Sequence, residues 1–279
     1  ISIVPVRQVV WLDFRPSYVE SLRHYGLRAV DALIRDRVRA VMARAYRTVN
    51  LEVRSEAPTD FALYSTVEIH GPDPNGMGLF GYDNSPGKDT DNERLYDRLG
   101  GVNAITQQDG YAGYGGVFIE SMFGFSEHPG DHGTSLPGAD AAFDAIFDAF
   151  RRDRDGTAVS AGDFAVEIPT LDRGDACPAT DRAGRIACAV WVMGSLIGGT
   201  LAHEIGHSLG LANPYGEGFH DPGDQPGRLM DGGGERSFLE RAELFGQGPA
   251  DFCDDEYDYL RMILPTADAA DPTPRPICF

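Results

Sequence analysis

The segment Leu201-Ala202-His203-Glu204-Ile205-Gly206-His207-Ser208-Leu209-Gly210 constrains this chain more than any other. On a helix, residues four apart share one face, so the imidazoles of His203 and His207 stand about a turn from each other, close enough to hold one zinc ion. The Glu204 carboxylate, displaced around the helix, can reach a water beside that ion. In any other backbone conformation the three groups diverge. Ile197, Leu201 and Ile205 fall on the opposite side, which makes that side a stripe to bury.

The residues after the pair sharpen the pattern. Gly210 lies three residues after His207, where a helix can end on a left-handed residue and turn back sharply. The turn then offers Asn213, and His220 lies seven residues further on beside Asp221. Arg228-Leu229-Met230-Asp231-Gly232-Gly233-Gly234 reads as a tight, glycine-rich turn around a methionine.

The 279 residues carry 24 Lys plus Arg against 43 Asp plus Glu, a net charge of -19. A chain so acidic repels a polyanion, so nucleic-acid binding is excluded as an expectation. With 42% hydrophobic residues it has ample material for a core, at a length that suits one large domain or two lobes. No run of 18 or more apolar residues is present, so no membrane span is expected. Four cysteines without a CxxC pair argue against a thiolate metal site and for disulfides. Of the three possible pairings, proximity favours Cys177 with Cys188 and Cys253 with Cys278. The first residue is Ile1 rather than Met, which fits a mature secreted form whose leader has been removed.

The organisation predicts an α/β (α+β) fold. Val9 to Phe14 form a strand-like run, and Leu27, Val30, Leu33, Ile34, Val38, Val41, Met42 and Tyr46 then recur at helical spacing. Strands are expected at 51–54 and from Leu63 to Ile69, with a short one from Leu79 to Tyr82. The same loop region holds Asp83, Asp89 and Asp91, oxygen ligands suited to Ca²⁺, but their spacing fits no EF-hand and a solvated acidic loop is the expected reading. Gly115 to Phe123 alternates as a further strand, and Phe143, Ile146, Phe147 and Phe150 mark a helix. Ser237 with Glu240 reads as a capping box, and Pro249 as the opening of a last helix through Phe252, Tyr259, Leu260 and Ile263. His128 and His132 lie in a Gly- and Pro-containing loop, where a second metal or plain surface histidines are the alternatives. No GxSxG elbow is present to start a serine hydrolase.

With His203, Glu204, His207, Gly210 and Met230 in this order, the chain resembles the metzincin clan of zinc metallopeptidases, whose pattern is HExxHxxGxxH or HExxHxxGxxD with a Met-containing turn. It looks most like short bacterial secreted metzincins of the snapalysin type. The resemblance implies a single catalytic domain over 1–279. Its N-terminal lobe, 1–211, would hold a twisted mixed sheet, a backing helix and the active-site helix. A smaller irregular and helical lobe, 212–279, would lie below a zinc cleft. It further implies a secreted or envelope-associated, monomeric, zinc-dependent endopeptidase acting on peptides or proteins. Glu204 would be general base and then acid, and His203, His207 and Asn213 the zinc ligands. Met230 would form an apolar floor, and with Asp231 after it no tyrosine ligand is expected. The substrate would lie extended along the strand at Gly115 to Phe123.

Asn213 departs from the pattern, since a neutral amide holds zinc more weakly than imidazole or carboxylate. His220 is the alternative third ligand, and a later glutamate, Glu240 or Glu243, a further one. The other functional reading is a weakened relative that acts as a binding module.

Overall fold

The apolar run that opens the described chain becomes β1 (Gln8–Phe14), with Val9, Val10 and Leu12 fully buried. Burial of consecutive residues means that both faces are covered, as in a central parallel strand. β1 pairs in parallel with β2 (Leu51–Arg54) on one side and β3 (Ser65–His70) on the other. The computed structural model describes residues 7–85, 98–102, 112–211, 220–223, 225–233 and 236–278.

Beyond β3 the direction changes. β7 (Tyr114–Phe118) runs parallel to β3, and β4 (Gly81–Tyr82) closes that side antiparallel to β7. The resulting seven-stranded sheet has the order β2-β1-β3-β7-β4, with β5 (Arg98–Leu99) on β3 and β6 (Gly101–Val102) on β7. The segment expected as the exposed edge, Gly115 to Phe123, is therefore interior. Phe118 donates its backbone N–H to the Phe80 carbonyl at 2.8 Å, and the chain turns into a 3-10 helix at Ile119. Alternation marks a strand but not its neighbours. The edge falls to the shorter segment at Gly81–Tyr82.

α1 (Pro16–Ser21) begins on a proline, whose missing N–H costs nothing at a helix start. α2 (Asp31–Ala45) buries Ile34, Val38, Val41, Met42 and Ala45, the stripe expected from its periodicity. That stripe packs on α4 (Arg182–Ser208), the segment that carries the two histidines. Close approach depends on two glycines. A Cβ on Gly194 would come 2.5 Å from Arg37 Cβ, and one on Gly198 2.7 Å from Val41 Cβ. α4 also touches β7 and β4, which brings the end of the helix to the sheet edge. It is long and apolar enough to cross a membrane, but 89% of its most apolar window is buried inside the protein, as a core helix requires.

α4 starts on the Asp181 side chain, which accepts from the Gly184 N–H at 2.9 Å. It ends as Gly210 leads one to expect, with φ +100° there. Leu211 N–H donates to Gly206 O at 2.9 Å and Gly210 N–H to His207 O at 2.8 Å, which satisfies carbonyls the helix leaves open. α3 (Ala141–Phe147) buries Phe143, Ile146 and Phe147 among Tyr25 and Phe123.

Two short helices complete the chain. In α5 (Phe238–Arg241) the Ser237 hydroxyl accepts from the Glu240 N–H at 3.2 Å. α6 (Asp254–Ile263) begins five residues later than Pro249. Its true start is Cys253, whose N–H donates to the Glu256 carboxylate at 3.1 Å, a cap that Pro249 is too far back to provide. The disulfides are Cys177–Cys188 and Cys253–Cys278, the pairing that proximity favours. The second pins the tail to the start of α6.

Candidate metal centre

His203 and His207 occupy the last two turns of α4, their rings perpendicular with centroids 4.6 Å apart. Each Nδ1 faces a backbone carbonyl: that of His203 lies 2.8 Å from Leu229 O, and that of His207 lies 3.4 Å from Leu211 O. A nitrogen donating to a carbonyl carries the ring's proton, which leaves both Nε2 atoms as bare acceptors. Those two atoms are 3.0 Å apart. Two lone pairs facing at that distance repel unless a cation lies between them, so the pair is chemically suited to a metal.

The third imidazole comes from outside the helix. The His220 ring centroid is 5.2 Å from that of His203 and 5.3 Å from that of His207. One nitrogen of each of the three rings lies within 4.8 Å of the other two. The cause is one backbone bond: Asp221 N–H donates to Met230 O at 3.1 Å, tying the His220 segment to the methionine turn. The same turn supplies the Leu229 carbonyl that orients His203. Met230 is fully buried under the helix, where a Cβ on Gly206 would come 2.7 Å from its sulfur.

Electrostatics keep the two helix imidazoles neutral. Burial, then the neighbouring His207 and His220, hold the His203 pKa well below the usual imidazole value. Burial first and His220 second bring His207 down to about 3. Neutral imidazoles are the form that binds a metal. Glu204 is 6% exposed, and burial, reinforced by Asp83, pushes its pKa well up; the Asp83 backbone N–H, donating to the carboxylate, opposes the shift.

The centre opens into a cleft of about 290 Å³. Gly78 to Gly81 form one wall, and His203, Glu204 and His220 the floor; Leu136 and Arg241 also line it.

Other candidates lie elsewhere. Asn213 falls outside the described residues, as do Asp89 and Asp91, whereas Asp83 stands beside Glu204. Glu240 pairs with Arg236 at 3.1 Å, and Glu243 with Arg37 at 2.8 Å and with Arg44, so both carboxylates are engaged with arginines rather than with the imidazoles. His128 binds Asp148 at 2.7 Å beside Asp144, a group of three that could also hold a metal ion and whose negative charge the buried Arg151 offsets in part. His132 stacks on Phe123 and meets the His24 ring at a tilt. Gly81, Asp83 as a neighbour of Glu204, and Arg241 carry no signal in the sequence, since no local spacing links them to the histidine helix.

Neither protein-family models nor curated proteins nor solved structures give a match to this chain.

Proposed function

We propose that this chain is a zinc-dependent endopeptidase of the metzincin type, secreted, with His203, His207 and His220 as the protein ligands. The observation that carries the reading is the facing of the His203 and His207 Nε2 atoms beside a third imidazole and a buried glutamate, in an open cleft. A purely structural metal site has no use for a glutamate at that position. The family spacing makes Asn213 the rival third ligand, and the proximity of His220 supports the histidine.

Zinc held there supplies Lewis acidity, which makes a water acidic near neutral pH and polarises a peptide carbonyl. Glu204, whose pKa burial raises well above the ordinary carboxylate value, takes the proton of the attacking water and returns it to the leaving amine. The Leu229 and Leu211 carbonyls hold the imidazoles in one tautomer and orientation. β4 lies at the sheet edge against β7, and no strand among the described residues pairs with its other side, where an added peptide strand would fit. Two disulfides are compatible with an extracellular setting.

The test is Glu204→Ala. Peptide hydrolysis should fall to background while the protein still carries one zinc per chain by elemental analysis. Undiminished hydrolysis would sink the mechanism, and a metal-loaded wild-type protein inert on a broad peptide mixture would favour the binding module instead.

A further inference from the structure

Four arginines are buried among the described residues, and three have a carboxylate: Arg151 with Asp153 at 2.7 Å, Arg228 with Asp231 at 2.8 Å, and Arg236 with Glu240 at 3.1 Å. The fourth, Arg241, has no carboxylate in ion-pair contact among the described residues: Glu240 and Glu204 attract it only from further off, and Arg236 repels it. It is 9% exposed; its Nη2 donates to Gly233 O at 2.8 Å, while its Nε is buried without a hydrogen-bond partner. Its guanidinium lies 5.4 Å from the centre of the Phe80 ring. A buried charge lacking a partner is costly, and arginines are rarely kept so unless something pairs with them. On a chain with 43 acidic residues against 24 basic ones, partners are not scarce. Arg241 lines the same cleft as His203, Glu204 and His220.

We propose that Arg241 binds a carboxylate of the substrate, so that the cleft selects peptides bearing a C-terminal carboxylate or an acidic side chain close to the bond that is cut. A guanidinium matches a carboxylate through two parallel N–H donors, and the apolar wall of Leu79, Phe80 and Leu136 strengthens that contact by excluding water. The net negative charge slows approach of an anionic peptide from afar; the contact with Arg241 acts at short range, after docking. This rests on the peptidase reading above.

Three N-acetylated alanine–leucine hexapeptides test it: one with a free C-terminus, its C-terminal amide, and the amide with one internal glutamate. Wild-type protein should cleave one or both acidic peptides with kcat/KM about thirtyfold or more above the neutral amide, and Arg241→Gln should bring the ratio below about twofold. The free acid and the glutamate amide tell the two carboxylate sources apart. Equal cleavage of all three by the wild type overturns the proposal, with no need for the variant to fold; Arg241→Lys, which keeps the charge but not the paired donors, should lie between. If the wild type cleaves none of them, the peptidase reading fails, and calorimetry with N-acetyl-leucine and N-acetyl-leucinamide decides for Arg241 alone. Preference for the acid that is lost in Arg241→Gln upholds the carboxylate site. Absence of preference, or preference that persists in the variant through the metal, overturns it.

Discussion

Gly81 of the edge strand lies directly against the carboxylate of Glu204: a Cβ at position 81 would stand 2.4 Å from Oε1 and 2.7 Å from Cγ. The proposed general base and the strand proposed to receive substrate thus share one contact, which only a glycine allows. Gly81→Ala should displace Glu204 and cut kcat strongly, with zinc retained. Overpacking of this kind costs about 1–3 kcal/mol. Zinc content, kcat and a urea melt on the same sample check it; wild-type kcat in a folded variant would refute the contact's importance.

The third ligand is open to a direct comparison. His220→Ala should come through dialysis against a weak chelator with its zinc lost, whereas Asn213→Ala should keep it. The reverse pattern assigns the site to Asn213.

Gly206 and Met230 are in similar contact beneath the face that carries His203 and His207. Gly206→Ala should push on the Met230 sulfur, destabilise the fold by about 1–3 kcal/mol and weaken zinc binding by shifting the turn that orients His203. Met230→Leu, close in volume, should cost less than about 1.5 kcal/mol. Equal zinc affinities in wild type and Gly206→Ala would show that the turn does not tune the site.

Glu256 gives a pH signature. Burial, then the negative Asp221, raise its pKa well above the ordinary carboxylate value, and its Oε1 is buried without a partner. Asp221 is raised in the same sense, to about 6 by burial first. A carboxyl whose folded pKa exceeds its unfolded one favours the fold while protonated, and that stability is lost as pH rises from the unfolded pKa through the folded one. The contribution of these two carboxyls to stability should therefore decline above about pH 4. Glu256→Gln keeps the acceptor that caps α6 and should remove part of that slope, so the variant is the more stable one at pH 7 and loses that advantage below about pH 4. Parallel stability curves would contradict it.

The Cys253–Cys278 bridge closes a span of 25 residues. Replacing both cysteines by serine should cost roughly 3 kcal/mol and free the tail from the start of α6. Limited proteolysis reads the second effect, and a tail as resistant as the wild type's would mean that other contacts hold it. Arg228 Nη1 on Cys278 O at 2.8 Å is one such contact.

The helix with His203, Glu204 and His207 is legible in the sequence because its pattern is local. So are the buried stripe of α2, the glycine stop at Gly210 and the pairing of cysteines close in sequence. The place of the edge strand is not. The short strand expected from Leu79 to Tyr82 forms as the two residues of β4, but nothing local puts it at the edge, and the longer segment expected there is interior because β4 adds to it. Pro249 misleads for a related reason: a proline suits a helix start, but the cap that forms is Cys253 with Glu256.

The sequence by itself determined that two imidazoles and a carboxylate meet at the end of one helix, because 3.6 residues per turn leaves them no other arrangement. Only the tertiary structure decided which further groups join them. His220 arrives through a backbone bond from Asp221 to Met230, Gly81 through the packing of α4 on the sheet edge, and Arg241 through the short helix beyond the methionine turn. Each depends on where distant segments pack, and no spacing along the chain encodes it.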